Sequence, residues 1–168
     1  MFATFDDTAF PLIRVRLGTI SDDDDFFIFL KQWENYDSKY ENYTFVFDTT
    51  NVGYIPLKYA YKMTHFISGL KRRKAIKNNV YLERSIIIAS TWYVRGLLHL
   101  IFSLQTPVAP VYMIDNKTNV QLLLENLCLD PGFFKSNVVR FLPGWLLLPV
   151  LIYSSEKNTL LSSIASYT

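Results

Sequence analysis

The chain has one cysteine, Cys128, two histidines and only six glycines among its 168 residues. A single cysteine excludes an intramolecular disulfide and leaves no set of thiolates for a structural zinc site. The six glycines form neither Gly-x-Gly nor Gly-x4-Gly-Lys, which removes both Gly-rich phosphate loops. The net charge of +2 is too small to imply a specific nucleic-acid partner. Long apolar runs are missing as well. Phe141–Tyr153 comes nearest, but it is broken by Pro143, Gly144 and Pro149, and a spanning helix needs about 20 residues. Met1-Phe2-Ala3-Thr4-Phe5-Asp6-Asp7 lacks the basic flank and apolar core of a secretion signal. These absences lead us to expect an intracellular, cytoplasmic protein that is neither secreted nor membrane-spanning.

What the chain does have is apolar mass. Half of its residues are hydrophobic and 16% are aromatic, enough to offset the entropy of ordering one core without metals or disulfides.

The periodicities alternate between strand and helix. In Pro11–Leu17, Arg14 and Arg16 interrupt Leu12, Ile13, Val15 and Leu17, the pattern of an edge strand with one wet face. Ser21 then precedes Asp22 to Asp25. Serine is a preferred N-cap, and carboxylates in a first turn complement the helix dipole, so this acidic run predicts a helix start rather than a cation site. Tyr43–Phe47 and Arg84–Ala89 are short runs, apolar on both faces, as inner strands of a largely parallel sheet should be. Pro56 opens a helix running to about Asn78, with Tyr59, Met63, Phe66, Ile67 and Leu70 on one stripe. Ser90 and Thr91 cap a third helix with Val94, Leu97, Leu98, Ile101 and Phe102 inside. Val111–Ile114 is a further strand, halted at Asp115, and Lys117 to Leu127 reads as a fourth helix. Strands alternating with helices mean βαβ units. The expected fold class is therefore α/β, with a single four- or five-stranded mixed, mostly parallel sheet. Its helices lie mainly on one face, and an apolar C-terminal extension follows.

No constellation carries chemistry. His65 and His99 lie in helical patterns among apolar neighbours, as core or boundary histidines do. Asp48 and Asp115 close strands, where a carboxylate commonly binds the backbone of the loop that follows. Binding candidates are clearer. Strand ends and the loops that follow are where α/β sheets meet ligands and partners, which selects Asp48, Thr49, Thr50, Asn51 and Tyr54, together with Thr91, Trp92 and Arg95 at the opening of the third helix. At that opening, free backbone N–H groups and the Arg95 guanidinium suit an anion. The alternative packs Trp92 under the sheet edge and pairs Arg95 with an acidic helix neighbour. A competing surface is the basic end of the second helix, Lys71, Arg72, Arg73, Lys74 and Lys77, which reads as a solvated helix end or as a patch for an acidic partner or anionic lipid.

Three local patterns carry a resemblance. They are Phe45-Val46-Phe47-Asp48-Thr49-Thr50-Asn51-Val52-Gly53-Tyr54-Ile55-Pro56, Ser85-Ile86-Ile87-Ile88-Ala89-Ser90 with Val94-Arg95-Gly96-Leu97-Leu98, and Val111-Tyr112-Met113-Ile114-Asp115. With the element order over Pro11–Leu127, the chain resembles the STAS-like, SpoIIAA-like domain family, in particular its small stand-alone members. The resemblance implies a mixed sheet with helices largely on one face, and binding rather than catalysis. In the anti-anti-sigma branch a phosphorylatable serine opens the helix after the second strand. Here Pro56-Leu57-Lys58 stands at that point.

The resulting expectation is a STAS-like domain over 1–128 and an apolar extension over 129–168 that packs on the domain or on a partner. The function expected is a non-enzymatic protein- or ligand-binding module without metal or cofactor. A protein partner is expected, in a homo- or hetero-oligomer. Thirteen Phe, eleven Tyr and three Trp also suit a structural component of a larger assembly, since aromatics are enriched in interface cores. An anionic-lipid or apolar-ligand binder is the third reading.

Overall fold

In the computed structural model, which describes residues 1–39, 41–77, 81–115 and 138–143, the chain folds as an α/β layer. The elements are β1 (Ala3–Ala9), β2 (Leu12–Leu17), α1 (Asp23–Asp37), β3 (Tyr43–Asp48), α2 (Leu57–Lys77), β4 (Leu82–Ile88), α3 (Trp92–Leu104), β5 (Val111–Ile114) and β6 (Val139–Phe141). They form one six-stranded sheet in the order β1-β2-β3-β4-β5-β6. The β2–β3, β3–β4 and β4–β5 pairs are parallel, and both outer pairs are antiparallel.

The strand count corrects the expected four or five. β1 and β6 are the additions, and β1 displaces β2 from the edge. The wet face of β2 is as expected, with Ile13 and Val15 buried and Arg14 and Arg16 exposed. β1 carries Asp6 and Asp7 and buries little beyond Ala3, so its strand signal is faint. β6 is three residues long and gains its strand character from pairing with β5.

Strand order never reverses along the sheet. Crossovers between parallel strands are right-handed almost without exception, so successive crossovers in one direction put α1, α2 and α3 on the same face. The core shows it: Phe26 and Phe29 of α1, Tyr59 of α2 and Val94 of α3 share one cluster with Ile13, Val15, Phe45, Ile87 and Met113. Aromatic side chains dominate this layer. Phe45 lies edge-on to Phe5, Trp33, Tyr36 and Tyr43 at centroid separations of 5.0–6.1 Å. Part of the aromatic content noted in the sequence is thus accommodated between the sheet and α1.

The helix boundaries follow local chemistry. Asp22, not Ser21, caps α1: its Oδ1 accepts from Asp25 N at 2.8 Å, while the Asp25 carboxylate accepts from Ser21 N at 3.3 Å. Asp23 instead reaches α2, accepting from Lys58 and Lys62 at 2.9 Å each. Hydrogen bonds from Lys62 and Lys58 hold its carboxyl far below the usual range. Thr91 caps α3, its hydroxyl accepting from Val94 N at 3.3 Å. The expected fourth helix, Lys117–Leu127, lies outside the described residues, as does the C-terminal extension apart from 138–143. Among the described residues no helix is long and apolar enough to cross a membrane.

Candidate functional site

Asp48, Ile88 and Ile114 are register neighbours at the C-terminal ends of β3, β4 and β5, so the loops β3–α2 and β4–α3 open side by side. An unreversed strand order provides no switch-point crevice of the doubly wound kind. What forms instead is a surface.

The β3–α2 loop is held from below. Asp48 Oδ1 accepts from Thr50 N at 3.1 Å and from the Thr50 hydroxyl at 2.6 Å. Asp48 thus binds the loop that follows it, as a strand-ending carboxylate commonly does. Thr49 turns inward, is buried, and donates its hydroxyl to the Ile88 carbonyl at 2.6 Å. The loop then passes close to the β2–α1 connection. A Cβ on Gly53 would sit 3.1 Å from Thr19 Oγ1, tighter than an ordinary contact, so glycine fits that crossing without displacing Thr19. Asn51 is exposed beside it.

From α3, Tyr93 donates its hydroxyl to the Ile55 carbonyl and accepts from Ile55 N at 3.1 Å. Tyr54 stacks on Tyr93 with centroids 5.9 Å apart and planes 22° apart, and Trp92 meets the other edge of Tyr93 at 6.2 Å and 84°. Tyr54 is 73% exposed and Trp92 84%. Trp92 therefore stands in solvent rather than under the sheet edge, because it occupies the first, outward position after the cap.

Arg95 lies beside this row. Its Nε donates to the Ala89 carbonyl at 2.8 Å and its guanidinium pairs with Asp115 at the end of β5. The acidic partner thus comes from a strand end and not from a helix. With that charge neutralised, the helix opening has lost the cation that would draw an anion.

The structure brings Asp48, Thr49, Thr50, Asn51, Tyr54, Thr91, Trp92 and Arg95 to one edge of the sheet. Sequence reasoning left out Tyr93, whose side chain joins the two loops. Its place one residue after Trp92, in the first turn of a capped helix, was the available signal.

The basic end of α2 is arranged differently. Arg73 pairs with Glu34 of α1 at 2.7 Å, and Lys71 Nζ donates to the Thr106 hydroxyl. Arg72 is exposed, and the side chains of Lys74 and Lys77 lie outside what the structure describes. Both histidines are exposed instead of core residues, and His99 lies edge-on to Phe141 at 5.0 Å. Among the described residues no three His, Cys, Asp or Glu side chains are grouped to hold a metal. Beneath the surface, between the sheet and α2 and α3, lie two adjoining apolar cavities of about 110 and 90 Å³. Both are bounded by Leu17, Phe29, Thr49, Met63, Leu98 and Ile101. Neither contains Asp48, Asp115 or a histidine.

No protein-family model, curated protein or solved structure matches this chain.

Proposed function

We propose that the chain is a non-enzymatic binding module whose protein partner seats on the row Tyr54–Tyr93–Trp92 and the adjoining loop Asp48–Ile55. One observation carries this reading: two large aromatic side chains stand exposed on a backbone that is itself pinned. The stacking of Tyr54 on Tyr93, and the two hydrogen bonds between Tyr93 and Ile55, order that surface before any partner arrives. Pre-ordered Tyr and Trp are what binding hot spots are made of, since they bury large area at small entropic cost. The polar side chains beneath the row are engaged within the protein, Asp48 with Thr50, Thr49 with the Ile88 backbone carbonyl and Arg95 with Asp115. That engagement speaks for a scaffold rather than for a reacting group.

The STAS-like resemblance belongs to the same reading, supported by helices on one face of an unreversed sheet. A phosphorylation switch does not accompany it. Pro56 occupies the helix opening, and the Thr49 and Thr50 hydroxyls are committed to Ile88 and Asp48.

The test is affinity capture from extracts of the producing cells with the unmodified chain and with Trp92→Ala, followed by direct binding of the purified partner. Loss of at least tenfold in affinity with an unchanged melting curve supports the reading. An unchanged affinity removes it.

A second reading, an apolar small-molecule binder, is favoured by the two adjoining cavities. A dry apolar cavity of about 150 Å³ holds benzene or xenon in other proteins. Saturating benzene should raise the melting temperature if these cavities admit a ligand, and leave it unchanged otherwise.

A further inference from the structure

The two apolar cavities have unlike walls. Strands and helices enclose the larger one, apart from Thr49 and the connection residues Pro107, Val108 and Ala109. Loop roofs the smaller one. Ile20 of the β2–α1 connection and Val52 and Ile55 of the β3–α2 loop border it, outside any helix or strand, and all three are half-buried. A half-buried lining residue faces the cavity on one side and solvent on the other, so the wall there is one side chain thick. Among the described residues, no charged side chain lines either cavity.

The same loop turns Tyr54 outward. Among the described residues, the hydrogen bonds of 53–55 go to one group, the Tyr93 hydroxyl, which meets the Ile55 N–H and carbonyl. Val94, the next residue of α3, lines the cavity that Ile55 roofs. The clasp therefore fastens the edge of the roof to α3.

We propose that the Tyr93–Ile55 clasp is the gate to the paired cavities, and that it admits a small, uncharged, apolar molecule. The gate presupposes the apolar-ligand reading above and adds its route and its class of occupant. A charged guest would be buried there without a counter-charge, which is prohibitively costly. Loop backbone with few buried contacts opens at lower free energy than packed helices and strands, which favours the roof as the way in. The far end of the larger cavity is closed differently. Leu70 and Pro107 line it, and beside them Lys71 Nζ donates to the Thr106 hydroxyl. Entry at that end would have to part α2 from the chain that leads into β5. Removing the Tyr93 hydroxyl weakens the closed roof in the empty and the filled protein alike. Entry and release then quicken by the same factor, and the dissociation constant stays where it was.

The experiment follows benzene exchange by NMR in the full chain, labelled with carbon-13 at the methionine methyls. Met63 lines both cavities and reports occupancy, while the buried Met113 lines neither and serves as reference. Tyr93→Phe is expected to speed benzene release at least tenfold with the dissociation constant unchanged within twofold. Thr106→Val, which breaks the tie at the far end, is expected to leave the release rate within twofold. Release that Tyr93→Phe does not change, or that Thr106→Val speeds as much, overturns the gate and leaves the cavity reading standing. So does a dissociation constant that weakens in step with faster release, since Tyr93 would then act on the filled state alone. If benzene shifts no Met63 signal in the unmodified chain, the cavity reading and the gate fall together.

Discussion

The hydroxyl of Tyr93 meets both backbone groups of Ile55, accepting from its N–H at 3.1 Å and donating to its carbonyl. One side chain, 38 residues away in sequence, thereby satisfies an exposed loop's polar backbone and fixes the ring on which Tyr54 stacks. The proposed binding surface and the fold meet at this phenol.

Tyr93→Phe should separate the two roles. It keeps the ring and removes the hydroxyl, leaving the part-buried Ile55 amide without its partner. The expected cost is about 1–3 kcal/mol, the usual penalty for stranding such a group. Denaturant unfolding should show the loss as a lower midpoint at unchanged slope, and amide exchange should quicken at Ile55 before it does in β3.

Trp92→Ala and Tyr54→Ala should behave in the opposite way. Both side chains are mostly in solvent, and surface substitutions of this kind usually shift stability by no more than about 0.5 kcal/mol. Thermal denaturation should be nearly superimposable on that of the unmodified protein. A large loss of stability would mean that the row is part of the core and not a free surface.

Thr49→Val tests the floor of the loop. It keeps shape and removes the hydroxyl donated to the Ile88 carbonyl. That carbonyl retains the Thr49 amide at 3.2 Å, so the cost should be a single net hydrogen bond, about 1 kcal/mol. Phe45→Ala, by contrast, empties the centre of the aromatic layer and should cost about 3–5 kcal/mol, read in the same unfolding titration.

Alkaline pH has a defined effect at Tyr36. Burial first, then the Asp7 carboxylate that accepts its hydroxyl proton, pushes this phenol up to about 12 from the usual 10. The folded state therefore holds the proton more tightly than the unfolded state. The stabilisation is fully present below pH 10 and is lost as pH rises from about 10 to about 12. Tyr43 is also raised, chiefly by burial. Phenolate absorbance should therefore show these two rings titrating above the usual 10, and Tyr36→Phe should flatten part of the alkaline stability loss. Tyr36 titrating at the ordinary value of 10 would contradict its assigned contacts.

Features set by near neighbours in the chain were legible from sequence. Pro56 stands one residue before α2 rather than as its first residue, Thr91 does cap α3, and Val111–Ile114 is the strand expected. Each is a local matter of caps, breakers and period. β1 escaped notice because an edge strand with Asp6 and Asp7 at its middle shows almost no alternation, and its pairing with β2 supplies what its own side chains do not. The choice of Asp22 over Ser21 as cap turned on one hydrogen bond between two competent neighbours. In the site, the Asp48–Thr50 turn is local and could be read. The Arg95–Asp115 pair and the Tyr93–Ile55 clasp join residues from different elements, and no pattern within a single segment encodes them.

The central claim is that Tyr54 and Trp92 carry the energy of partner binding. The most direct measurement is the dissociation constant of the captured partner for the unmodified chain, for Trp92→Ala and for Tyr54→Ala, at low and high salt. The account predicts at least a tenfold weakening with each variant, about 1.4 kcal/mol, and little dependence on salt. An affinity that ignores both substitutions but falls steeply with added salt would place binding at charged groups such as Arg72 and contradict it.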